Sequence, residues 1–181
     1  MEEQSGLAQQ RGEALETVLR EITGTPTSAL RERAVCLVRI AKCFSVPSYV
    51  PSTRDEPLLA SIRVEDWDFI LTVALVFVAM TELNKKVPPA IGAELIDLVS
   101  EAMDRWNKNA GRGFEDCQKF FDSVYDDVAE ANRRQPEWVS CDAVGLWAAW
   151  NLLNRRPETT EELRVSRRLG LLSHSLLGVW D

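Results

Sequence analysis

The chain has 181 residues, of which 45% are apolar and 27% charged. That is the composition of a folded globular protein and not of a disordered one. The length predicts a single domain over residues 1–181, able to bury a core without disulfide or metal staples. A net charge of −7 disfavours wrapping duplex nucleic acid or lying on anionic lipid, since both ask for a positive surface.

The N-terminal stretch MEEQSGLAQQRGEALE contains no apolar core of a secretory signal, so a cytoplasmic protein is expected. Residues 7–22 are predicted as a first helix, broken at Gly24-Thr25-Pro26. Thr27 or Ser28 then caps a second helix to about Phe44, with Leu30, Ala34, Leu37, Val38 and Ala41 as its apolar stripe. Three prolines in SVPSYVPSTRDEP predict an irregular surface loop over 45–57. The next helix, about 64–86, contains an uncharged run from Phe69 to Thr81. A membrane span needs about 20 apolar residues, so this run is predicted to be a core helix buried on all sides; no membrane is expected.

Val87-Pro88-Pro89 ends that helix and begins another reaching about Asn107, followed by a break at 109–113. A fifth helix is predicted over 114–134. The sixth, over about 137–154, contains DAVGLWAAWNLL at 142–153, a second segment apolar nearly all round. Gly145 and Ala149 there would admit a close helix neighbour. Thr159-x-x-Glu162 is a capping box that opens a last helix to about Val179. No strand-like alternation competes. The predicted fold is an all-α bundle of about seven helices around two buried ones, at about 68–83 and 142–153.

Motifs for chemistry are few. The cysteines, at 36, 43, 117 and 141, form no CxxC pair, so no structural zinc site is expected. Cys36 and Cys43 are two helical turns apart, too far for a disulfide, and read as small buried apolar groups. Gly111-Arg112-Gly113 is too short for a phosphate loop, and no Gly-x-Ser-x-Gly elbow occurs. Neither a cofactor nor a metal is expected. Glu94, Asp97, Glu101 and Asp104 line one helix face, resembling one half of the carboxylate set of all-α pyrophosphatase-type hydrolases. The opposing half is missing, and the stripe reads as the solvated side of an amphipathic helix.

His174 is the single histidine. At about 100° per residue it lies off the stripe formed by Val165, Leu169, Leu172, Leu176 and Val179. Arg167 stands below it, with Gly170 and Gly178 one turn to either side. Glycine within a helix costs up to about 1 kcal/mol against alanine, so the strip is expected to receive something close: another helix, a twin subunit or a ligand. Arg167-x6-His174 also resembles the R-x(4–6)-H motif of HEPN-type ribonucleases, all-α proteins that pair the two residues across a dimer. The resemblance covers eight residues. It implies acid–base chemistry by His174 and phosphate stabilisation by Arg167.

Trp147 and Trp150 could line a pocket or fill the core, and Trp138 is placed to anchor an interface. Three functions follow. The first is a non-enzymatic, acidic, helical protein–protein interaction module, which suits inhibitor or immunity-type binding of a basic partner, or self-association. The second is the HEPN-like, metal-independent ribonuclease using Arg167 and His174. The third is a small-molecule-binding helical domain with Trp147 and Trp150 in its pocket.

Overall fold

A computed structural model describes residues 27–109, 126 and 140–175. The described part is all helical. It holds five α-helices, α1 (Thr27–Asp55), α2 (Val64–Asn84), α3 (Pro89–Asn109), α4 (Ser140–Leu153) and α5 (Thr160–His174), with a short 3-10 turn at Pro57–Leu59. The predicted count of about seven is therefore not met among the described residues. The helices predicted at 7–22 and 114–134 lie outside them, apart from helical Asp126.

α2 is the centre. Every residue from Trp67 to Met80 is buried, as is Leu83. This helix touches each of the other four described helices. The sequence explains why: its apolar residues surround the axis, so no side can face water without loss. α1 and α3 pack together and against it on one side, and α4 and α5 pack as a hairpin on the other. Leu30, Ala34, Leu37, Val38 and Ala41 form the buried stripe of α1 as predicted. Within residues 30–55 of α1 an 18-residue window meets the length and composition of a membrane span, although only 28% of that window is buried here; the buried stripe of α1 is spent on α2 and α3.

The predicted loop at 45–57 is not a loop. α1 continues to Asp55 through Pro47 and Pro51. Each proline removes a backbone donor and crowds the preceding turn, a cost of about 3 kcal/mol in a helix interior. Both lie on the exposed side, where the carbonyls left over can meet water. The opposite side is held by side chains. Ser45 Oγ donates to Asp68 Oδ1 at 2.6 Å and lies 3.1 Å from Thr72 Oγ1, and all three residues are buried. Trp67 Nε1 donates to the Ser45 carbonyl at 3.0 Å, and Tyr49 Oη donates to the Ile62 carbonyl at 2.7 Å. Tertiary contacts thus override the local signal. The same change of exposure corrects Cys43, which is exposed and not a buried apolar group; Cys36 is half-buried, and both are free thiols.

Candidate functional site

The α4–α5 hairpin carries most of the residues singled out by sequence. α4 ends at Leu153, where Asn154 takes a left-handed conformation with φ of 53°, a helix-stopping conformation that asparagine tolerates. α5 opens on the predicted capping box. Thr159 Oγ1 accepts from the Glu162 amide at 3.2 Å, while the Glu162 carboxylate accepts from the amides of Glu158 and Thr159 at 2.9 and 3.0 Å. The amide of Glu158 first, then that of Thr159, holds this carboxyl below its ordinary range, with the Arg155 ion pair adding to the effect. The cap fixes where α5 starts, and hence which of its faces meets α4.

The two helices meet at glycine. A Cβ built on Gly145 would lie 2.0 Å from the Ser166 carbonyl oxygen and 2.9 Å from Gly170 Cα. Gly170 is buried. The close neighbour expected on the glycine strip is therefore α4 of the same chain, and at Gly170 the strip is filled by packing.

This crossing fixes the outer face of the hairpin. Measured from Gly145 in steps of about 100°, Leu153, Leu146 and Trp150 fall at about 80°, 100° and 140°. From Gly170, Leu163, His174, Arg167 and Leu171 fall at about 20°, 40°, 60° and 100°. In an antiparallel pair the same angular sense lies on the same side. Burial agrees: Trp150, Leu163 and Leu171 are 43%, 45% and 58% exposed, while Val165, Leu169 and Trp147 on the other side are buried. Arg156 places its guanidinium 6.0 Å from the centre of the Trp150 ring.

Arg167 is exposed and His174 half-buried. They share a side of α5 but stand two turns apart, about 10 Å along the axis, so one chain does not close them around one phosphate. His174 Nδ1 lies 3.0 Å from the Gly170 carbonyl. A carbonyl only accepts, so this contact puts the proton of the neutral ring on Nδ1 and the lone pair on Nε2. Burial is the main effect holding this imidazole below its ordinary value; Lys85 works in the same direction, against the Gly170 carbonyl, Glu82 and Asp142.

Trp147 is core and Trp150 surface, so the segment 142–153, predicted as a second helix buried all round, instead has one side facing outward, with Leu146, Asn151 and Leu153 only half-buried. Trp147 Nε1 is buried without a hydrogen-bond partner. Trp138 and Gly178 lie outside the described residues. In the acidic stripe, Glu101 is committed to Arg31 and Arg105, Asp97 is exposed, and Glu94 and Asp104 are half-buried. Among the described residues no three His, Cys, Asp or Glu side chains gather as a metal site.

Two features carry no sequence signal. Glu56, buried just after α1, accepts from Arg164 and Arg168 of α5 at 2.9 Å each. Partners more than 100 residues away cannot be read from spacing. The second is a cleft between α1 and α3 lined by Arg39, Lys42, Arg105 and Trp106 among others. Comparison with protein-family models, with curated proteins and with solved structures returns no match.

Proposed function

We propose that the chain is a non-enzymatic helical protein–protein interaction module that docks through the outer face of its α4–α5 hairpin. One observation supports this. Trp150, Leu163 and Leu171 are large apolar side chains left exposed on one face, with Arg156 and Arg167 beside them. Exposed apolar residues scattered singly need no explanation, but a cluster does. Tryptophan and arginine are also the types that most often dominate binding energy at interfaces. The net charge of −7 steers encounter toward a partner that is basic overall, as an inhibitor or immunity-type binder would require. Arg156 and Arg167 then pair with carboxylates at contact.

The test is crosslinking capture with the wild-type chain, Trp150→Ala and Leu171→Glu. The partner held by the wild type is lost with both variants at unchanged melting temperature. A folded Leu171→Glu chain that keeps the same partner refutes the docking face. Sedimentation of the purified chain separates a foreign partner from a second copy.

The HEPN-like ribonuclease is a second proposal, supported by the His174 tautomer that leaves Nε2 as a base. It requires a dimer that brings Arg167 of one copy to His174 of the other. Cleavage of single-stranded RNA that disappears in both Arg167→Ala and His174→Ala supports it; a monomer without cleavage removes it.

A further inference from the structure

We propose that the cleft between α1 and α3 binds a small aromatic monoanion of the carboxylate class. The cleft has a volume of about 340 Å³, at the small end of ligand sites; one or two fused rings fit, and a dinucleotide does not. Val35 and Val38 of α1 and Ala102 of α3 form its apolar wall. Trp106 supplies an aromatic ring. Phe69 stacks on this ring with centroids 6.0 Å apart and planes 21° from parallel, and the Lys42 ammonium stands 4.8 Å from the ring centre. Held by these two contacts, the ring is positioned before any ligand arrives, which lowers the ordering cost of binding. Trp106 lines the cleft, and an aromatic ligand can stack on or meet its ring edge-to-face.

Charge selects the ligand's sign. Arg39, Lys42 and Arg105 converge on the cleft within a chain that is acidic overall. Lys42 is shared with the buried Asp68, 3.6 Å away, and Arg105 with Glu101 at 2.8 Å. Arg39 is exposed and makes no ion pair among the described residues. Lys42 and Arg105 thus each have a carboxylate beside them, the second shared with Arg31, and Arg39 is the cation left to take a ligand's negative charge. A guanidinium also presents a two-pronged donor that fits a carboxylate. The site uses helices other than the hairpin face, so its fate is separate from that of the docking proposal.

The test is calorimetric titration of the full chain with 2-naphthoate, its neutral amide 2-naphthamide, and 2-naphthylmethylammonium. Naphthoate is expected to bind at least about tenfold tighter than the amide, and the ammonium not to bind. Arg39→Gln weakens naphthoate about tenfold and leaves the amide unchanged. Ala102→Phe, which fills the cleft, removes binding of both. Leu171→Glu changes neither. Equal affinity for naphthoate and amide, no effect of Arg39→Gln, or no heat with any probe at millimolar concentration overturns the proposal. Arg39 is exposed, so its variant reports even if Ala102→Phe fails to fold.

Discussion

Replacing Gly145 by alanine adds one methyl group at the point where α4 and α5 cross. Two effects oppose each other. Alanine favours the helix over glycine by up to about 1 kcal/mol. Against this, the new Cβ would lie 2.0 Å from the Ser166 carbonyl oxygen, 2.7 Å from Gly170 N and 2.9 Å from Gly170 Cα, whereas ordinary contact begins at 3.4 Å. All three atoms are backbone, so no rotamer change relieves the clash. The helices must part by more than an ångström, loosening Val144 and Ala148 of α4 and Leu169 of α5 from a filled core. Overpacking a filled interior costs about 1–3 kcal/mol and occasionally more. The clash is severe, so the upper part of that range applies and the propensity gain offsets only part of it. The net expectation is a loss of about 1–2 kcal/mol. For a chain of this size that lowers the melting temperature by about 2–8 °C. Leu163→Ala is the control, since an exposed truncation stays within about 0.5 kcal/mol. Thermal and urea unfolding give both numbers. A Gly145→Ala variant more stable than wild type would show that propensity acts alone and that the helices do not meet there.

Three more outcomes follow from particular atoms. Trp67 and Trp147 are both fully buried, but Trp67 Nε1 donates to the Ser45 carbonyl and Trp147 Nε1 has no partner; by urea unfolding Trp67→Phe should cost about 1 kcal/mol more than Trp147→Phe, and equal costs would argue against the bond. Thr159→Ala removes the hydroxyl that accepts from the Glu162 amide and should destabilise by about 1 kcal/mol, read from the urea midpoint. The folded His174 imidazole titrates below its ordinary 6.5, so between the two values the unfolded chain binds a proton that the folded chain refuses. Stability is then full above pH 6.5 and falls as pH drops below it, before protonation of Glu162, itself depressed below 4.5, begins to contribute. Urea midpoints at pH 7 and pH 5 should differ for the wild type and differ less for His174→Gln; identical slopes for both would place the proton elsewhere.

What the sequence makes legible here is whatever a short window contains. The buried helix at 68–83, the apolar stripe of α1 and the Thr159–Glu162 cap each depend on residues within a few turns of one another, and each stands as expected. The helix through Pro47 and Pro51 does not, because its support comes from elsewhere. Pattern rules see two prolines four residues apart and count lost donors. They cannot see that Ser45 meets Asp68 and Thr72, or that Trp67 reaches back to the Ser45 carbonyl. Those contacts cross 22 to 27 positions and exist only once α2 is laid against α1.

The candidate sites divide in the same way. The outer face of the hairpin is legible once one anchor is known, because helical angle carries from Gly145 to Trp150 and from Gly170 to Arg167. Sequence supplied the angles; the Gly145–Gly170 crossing supplied the anchor. It also changed what the glycines mean, since a strip open to a ligand at Gly170 became the seat of a neighbouring helix. The cleft had no such route. Its cations at 39 and 42 and its wall at 102–106 are some 60 residues apart, and each alone looks like the solvated flank of an amphipathic helix. Only the packing of α1 against α3 turns three ordinary surface cations into a site, and compensation by Asp68 and Glu101 leaves Arg39 as the charge that selects the ligand. Neutralising Arg39 should therefore change recognition without changing the fold, whereas removing Asp68 should change the fold first.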